Sequence, residues 1–130
     1  MTEHYQIAVL GAGPCGYVAA LKAAQMGVKT AIIEKHHLGG TCLNYGCIPS
    51  KALLASAELI HKIHRAGDYG VNVSGGVSFD WMQIQKRKDK VLTKLRGGIK
   101  SLFGARKVTL YAGQAAFAGH GKIQITDSKG

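Results

Sequence analysis

The chain has 130 residues, 46% of them apolar, and a formal net charge of +10. That length and apolar content support one folded domain with a real core and exclude an intrinsically disordered segment. With 18 Gly and only 2 Pro, the composition suits tight turns and close backbone approaches more than a linker. No apolar run is long enough to cross a membrane as a helix, so no membrane partner is expected. Met1 to Tyr5 leads almost at once into the first apolar run, so no signal or transit peptide is expected.

Tyr5 to Leu10 is a short apolar run ending at glycine and reads as a buried strand. Pro14 to Met26 is Ala-rich and reads as a helix, with Gly27 as its stop. Lys29 to Ile33 reads as a second strand, completing a βαβ unit with a parallel sheet and a right-handed crossover. Cys42 to about Ala66 reads as mostly helix, interrupted or restarted at Pro49. Gly67 to Gly76 is loop-like, and Phe79 to Phe103 is a second long helix, strained by the Gly97-Gly98 pair. Val108 to Ala112 and Lys122 to Thr126 are the third and fourth strands. The chain then closes on the turn-like Asp127-Ser128-Lys129-Gly130, an odd place to finish a domain.

Between the first strand and helix, Gly11, Gly13 and Gly16 form G-x-G-x-x-G. Gly11 allows the tight turn, Gly13 lets backbone approach a pyrophosphate, and Gly16 permits close helix–strand packing. The helix N-terminus offers free N–H groups and partial positive charge to phosphates. Glu34 lies 18 residues after Gly16. At the end of the second strand its carboxylate can accept hydrogen bonds from ribose hydroxyls and repel a 2′-phosphate. The bland alternative is a tight βα turn with no ligand. The loop alone does not separate FAD from NAD.

Shortly after Glu34 runs Gly39-Gly-Thr-Cys-Leu-Asn-Tyr-Gly-Cys-Ile-Pro-Ser-Lys51. It sets Cys42 and Cys47, separated by four residues, beside the pyrophosphate end of a bound dinucleotide. In an ideal helix, residues i and i+5 lie roughly 8.5 Å apart, whereas a disulfide needs Cα atoms within roughly 7 Å. The pair can bridge only if the helix start is distorted, which Gly46 and Pro49 make feasible. A helix N-terminus lowers the thiol pKa of Cys42, and Lys51 adds a cation one turn after Cys47. Against this redox reading stand two inert buried thiols, or half of a metal site with His61 and His64. No metal is expected, because those histidines lie far along the helix. Cys15 reads as a packed small residue, and Tyr45 as packed near the thiols. Three cysteines beside a nucleotide motif favour a reducing, cytoplasmic setting.

The cluster Lys86, Arg87, Lys88, Lys90, Lys94 and Arg96 falls among Met82, Ile84, Val91, Leu92 and Leu95. That is the pattern of the wet face of an amphipathic helix, so no nucleic-acid partner is expected.

Gly11-Ala-Gly-Pro-Cys-Gly16, Glu34-Lys35 and Gly39 through Leu54 together resemble the flavin disulfide reductases. Leu43, Ile48 and Ser50-Lys51-Ala52-Leu53-Leu54 are most similar to the lipoamide dehydrogenase branch, as is Gly97-Gly-Ile-Lys-Ser-Leu-Phe103 with the strand after it. Glutathione and mercuric reductases are similar too, but typically differ at these side positions. Cys15 stands where glycine is common in the family, and Tyr45 where a smaller aliphatic is common.

The resemblance implies a Rossmann-like α/β domain binding FAD over residues 1–130, truncated, with a helical redox-disulfide segment. It implies a Cys42–Cys47 disulfide, with Cys42 the interchange thiol and Cys47 the thiol that faces the flavin and makes the charge-transfer contact. Lys51 would sit near flavin N5. Gly40 and Thr41 would line the pyrophosphate, with Pro14, Ile33 and Lys35 completing the cofactor set. Gly113 and Ala115 would meet the adenine end through their backbones. The family reaction oxidises dihydrolipoamide and reduces NAD through a second nucleotide domain, which this chain lacks. A dimerisation domain, also lacking, carries the His-Glu base that serves the partner subunit. The implied partners are lipoyl domains of 2-oxo acid dehydrogenase or glycine cleavage complexes, and a second subunit in a homodimer. Three functions compete: the lipoamide reaction, the same chemistry on a glutathione-type disulfide or mercuric ion, and a non-catalytic flavin-binding or redox-sensing module.

Overall fold

A computed structural model describes residues 2–127. The first strand is β1 (Ile7–Leu10), followed by helix α1 (Pro14–Gln25) and strand β2 (Thr30–Glu34). Two helices follow in near succession, α2 (Gly40–Asn44) and α3 (Cys47–His64), and then a 3₁₀ turn over Ala66–Tyr69. A long helix α4 (Trp81–Ala105) leads to β3 (Thr109–Ala112), β4 (Gln114–Phe117) and β5 (Ile123–Thr126). Strands β1, β2 and β3 form a parallel sheet with β2 in the centre, while β4 and β5 pair as an antiparallel ribbon. The expected α/β architecture and parallel sheet are present.

The α1 helix ends as its sequence dictates. Gly27 takes φ +81°, its N–H donates to the Ala24 carbonyl, and the Val28 N–H donates to the Ala23 carbonyl. This is a Schellman stop, which glycine makes without a Cβ penalty. At the other long helix, Asp80 caps α4 by accepting from the Gln83 N–H at 3.0 Å. The Gly97-Gly98 pair lies inside α4 without breaking it.

The core joins Ala12, Ala20 and Ile32 to Leu43, Leu92, Ile99, Phe103 and Val108. Helices α1 and α4 pack against the sheet and touch each other. The other face of the sheet, with Tyr5, Ala8, Ala31 and Tyr111, opens on a cleft of about 730 Å³ shared with β5. There the Tyr5 and Tyr111 hydroxyls hydrogen-bond at 2.8 Å, which helps push the Tyr111 phenol up to about 12.

Four expectations of local structure are corrected. β1 is not buried: Ile7 and Leu10 are 41% and 42% exposed, because β1 pairs on one side only. The central strand β2 is the buried one. The helical break falls at Tyr45–Gly46, and Pro49 sits in the first turn of α3, where its missing N–H costs nothing. The buried stripe of α4 is Leu92, Ile99 and Phe103, while Met82 and Leu95 face solvent. Strand β4 was not expected at all, since Gln-Ala-Ala-Phe has neither alternation nor β-branched residues.

Two glycine substitutions should behave oppositely. A Cβ on Gly16 would lie 1.9 Å from the Gly11 carbonyl oxygen, whereas one on Gly97 meets nothing within 4 Å. Gly97→Ala is expected to raise the unfolding free energy by about 0.5–1 kcal/mol through helix propensity. Gly16→Ala should lower it by several-fold more than that gain, as seen in urea denaturation of the two variants.

Candidate functional site

The glycine loop and the cysteine loop meet backbone to backbone. A Cβ on Gly40 would lie 2.7 Å from the Gly13 Cα and 3.4 Å from Pro14 Cδ. Gly39 donates its N–H to the Ala12 carbonyl at 2.8 Å, and Gly11 donates to the Ile33 carbonyl at 2.8 Å. Gly11 takes φ +92°, the left-handed conformation its tight turn requires. A side chain at Gly16 or Gly40 would force this cradle apart, whereas a Cβ at Gly13 would only touch the Gly40 Cα at 3.9 Å, and the backbone at the α1 N-terminus stays open to a phosphate-bearing ligand.

Glu34 is the hinge of the site. Its Oε2 accepts from the Ala12 N–H at 2.7 Å and its Oε1 from the His36 N–H at 2.8 Å. Its backbone carbonyl accepts from the Gly113 N–H at 3.0 Å. The carboxylate therefore braces the glycine loop, and each oxygen keeps a lone pair for a ribose hydroxyl. Beyond it lies a cleft of about 460 Å³ lined by Lys35, His36, Gln114, Ala116, Thr126 and Asp127. Ala115 pairs with Ile125 in the ribbon, so its neighbours Gln114 and Ala116, rather than its own side chain, line that cleft.

The thiols come together at the α2–α3 break. Cys42 is the third residue of α2 and Cys47 the first of α3. Hydrogen bonding toward the Cys47 side chain is the main cause of a Cys42 pKa raised above the ordinary thiol value. Desolvation and the Cys47 charge add to it, while the Cys47 backbone N–H and the Lys51 ammonium pull it back. The helix-terminus expectation of a lowered Cys42 pKa is thus corrected: the neighbouring thiol and desolvation outweigh the Cys47 backbone N–H and the Lys51 charge. Cys47, Thr41 and Lys51 are exposed, and Cys42 is half-buried.

The structure thus brings Gly11, Gly13, Pro14, Gly16, Ile33, Glu34, Gly40 and Gly113 into one backbone assembly. Thr41, Cys42, Cys47 and Lys51 sit on the helix starts beside it. Cys15 is exposed rather than packed, because it lies in the first turn of α1 ahead of the core-facing positions. Tyr45 is 71% exposed and covers nothing. His61 and His64 gather no metal-ligand set among the described residues.

Three contributors were not anticipated. Ala12 uses both its N–H and its carbonyl to tie the two loops to Glu34 and Gly39. Gly39 packs so tightly on Leu43 that a Cβ would lie 2.5 Å from its Cδ1. Asn44 is 8% exposed and donates from Nδ2 to the Leu38 and Gly40 carbonyls at 3.0 and 2.8 Å. Asn44 had a readable signal: an amide four residues after Gly40 can reach that carbonyl one turn back.

Two predictions follow from this geometry. Glu34→Gln keeps the shape but turns an N–H pair toward one of two backbone donors, so it should cost about 1–3 kcal/mol in chemical denaturation. In the reduced protein, Cys47→Ala removes the largest cause of the raised Cys42 pKa. Iodoacetamide should then alkylate Cys42 faster at neutral pH, and its rate-versus-pH curve should move to lower pH.

The profile of the pyridine nucleotide-disulphide oxidoreductase family matches residues 5–129. A dihydrolipoyl dehydrogenase of Chlamydia muridarum is 46% identical over 125 residues, covering 96% of this chain and 27% of that protein. A dihydrolipoyl dehydrogenase of Acholeplasma laidlawii is 47% identical over 113 residues, covering 87% of this chain and 34% of that protein. Among solved structures, the Cu(II) complex of the HOCl-induced flavoprotein disulfide reductase RclA from Escherichia coli superposes with a TM-score of 0.74. It is 26% identical, covering 99% of this chain and 26% of that one. The chain thus spans between a quarter and a third of the length of these relatives. With its glycine cradle, paired thiols and near-complete profile match, it belongs to the pyridine nucleotide-disulphide oxidoreductase family.

Proposed function

We propose that residues 1–130 are the FAD-binding and redox-active part of a dihydrolipoyl dehydrogenase. The observation that carries the reading is the placement of Cys42 and Cys47 on either side of the α2–α3 break, tied to a phosphate-ready glycine cradle through Gly40 and Gly13. The cradle fits a dinucleotide because its crowded positions are glycines and Glu34 keeps acceptor capacity for ribose hydroxyls. Gly11, Gly13, Pro14, Gly16, Ile33, Gly40 and Thr41 would hold the pyrophosphate side. Glu34, Lys35, Gly113 and Ala115 would hold the adenosine side. Bound there, FAD supplies a two-electron acceptor for the thiol pair.

The chain's own residues carry out the thiol exchange. A thiolate of dihydrolipoamide attacks Cys42 Sγ of the Cys42–Cys47 disulfide, forming a mixed disulfide and releasing Cys47 as thiolate. The second substrate thiol, giving up its proton, attacks the lipoyl sulfur of the mixed disulfide. Lipoamide leaves and Cys42 departs as thiolate, so two electrons now reside on the cysteine pair. Lys51, whose charge lowers the Cys42 pKa, stabilises the anionic sulfur in these steps. Cys42 has the role of interchange thiol and Cys47 that of electron donor to the cofactor.

In the intact protein the reading extends to NAD as final acceptor, a homodimer, a cytoplasmic setting and lipoyl domains of 2-oxo acid dehydrogenase or glycine cleavage complexes as partners. Identity of 46–47% with dihydrolipoyl dehydrogenases supports lipoamide as the substrate. The likeness to another flavoprotein disulfide reductase, at 26% identity, supports the same chemistry on a different substrate. Comparing turnover of dihydrolipoamide, glutathione disulfide and mercuric ion separates the two readings.

The direct test is Cys42→Ser in the intact protein. Its turnover of dihydrolipoamide with NAD should fall by at least about a thousandfold, as expected when a covalent nucleophile is lost. An unchanged rate contradicts the role of Cys42.

A further inference from the structure

Helix α2 is a single turn of five residues, too short to hold itself in water. No side chain caps its N-terminus, and its N-cap, Gly39, is left-handed at φ +95°. Yet α2 must end at Tyr45–Gly46, because a helix running straight through would hold the Cα atoms of Cys42 and Cys47 about 8.5 Å apart. Something must pin the last residue of α2 to the turn before its first.

Asn44 occupies that last position. It is buried, and its Nδ2 donates to the carbonyls of Leu38 and Gly40, one before the helix and one at its start. Two carbonyl acceptors fix the orientation of the amide, since only the nitrogen end can satisfy them. The Asn44 Oδ1 then faces the interior with no hydrogen-bond partner among the described residues. An unpaired buried acceptor is unfavourable for folding, and apolar Leu43 next door shows that the region accepts hydrocarbon.

We propose that Asn44 is a positioning residue for the thiol pair. Its amide clips α2 shut on the Leu38–Gly40 turn, confines the break to Tyr45–Gly46 and so holds Cys42 within reach of Cys47. The inference rests on the reading of Cys42 and Cys47 as a redox couple. The clip acts on the sulfurs alone: two thiols lose two protons and two electrons to form one S–S bond, and a glutathione disulfide accepts them to become two glutathiones. Holding the thiols together favours the disulfide side of that exchange.

The test is the equilibrium between dithiol and disulfide at residues 42 and 47 in the intact protein. It is measured anaerobically in glutathione buffers, with acid quench, alkylation and mass spectrometry of the peptide. Asn44→Leu removes both donors and the unpaired acceptor at similar volume. Asn44→Asp keeps the shape but turns acceptors toward both carbonyls, so either variant reports if the other does not fold. Val108→Ala, a core position outside both α2 and α3, is the control for general destabilisation.

Both Asn44 variants should shift the equilibrium at least tenfold toward the dithiol, about 30 mV for a two-electron couple, while Val108→Ala titrates with the parent. Asn44 variants that titrate with the parent, or a Val108→Ala that shifts as far, overturn the clip. A parent protein whose Cys42 and Cys47 never form a disulfide defeats the redox-couple reading itself, and the clip with it.

Discussion

The contact between Gly13 and Gly40 is the constraint on which the rest depends. It is an approach of one backbone to another with no room for a Cβ on Gly40. Gly13 belongs to the turn between β1 and α1, and Gly40 begins α2. Their contact sets the start of the cysteine-bearing helix against the N-terminus of α1, where backbone N–H groups can meet phosphates. The Gly39 N–H on the Ala12 carbonyl and the Ala12 N–H on Glu34 repeat the tie on either side. One small assembly of backbone groups thereby fixes both a ligand cradle and a thiol pair. Moving either loop would disturb both.

Within that frame the thiols are arranged by a broken helix rather than by a long one. The interruption at Tyr45–Gly46 places Cys42 near the end of one helix and Cys47 at the beginning of the next. Proximity then dominates the electrostatics. The Cys47 thiol holds the Cys42 proton more strongly than Lys51 and the Cys47 backbone N–H release it. In the dithiol state such a pair keeps its proton, and the balance changes once either sulfur becomes anionic or the two are joined.

Much of this was legible in the sequence because the signals were local. The β1–α1–β2 unit and its Gly27 stop follow from an apolar run ending at glycine and an Ala-rich run, and the long α4 helix from its amphipathic pattern. The glycine motif, Glu34 and the two cysteines were found by spacing alone, and the structure brings them together. What escaped was set by tertiary partners. The exposure of β1 depends on how many strands flank it, which no property of Ile7–Leu10 reveals. Strand β4 is held by β5 rather than by its own Gln-Ala-Ala-Phe composition. The direction of the Cys42 shift needed the position of Cys47, and the role of Ala12 lies in its backbone, which every residue shares.

The central claim is that the thiol pair and the glycine cradle form one working site. It is tested most directly by the anaerobic absorbance spectrum of the FAD-loaded intact protein before and after a dithiol is added. A new long-wavelength band on reduction, absent in Cys47→Ser, is the predicted result, because it requires the Cys47 sulfur to lie against the flavin ring. Bound flavin whose spectrum ignores the state of the cysteines would contradict it, leaving a nucleotide cradle and a thiol pair that do not communicate.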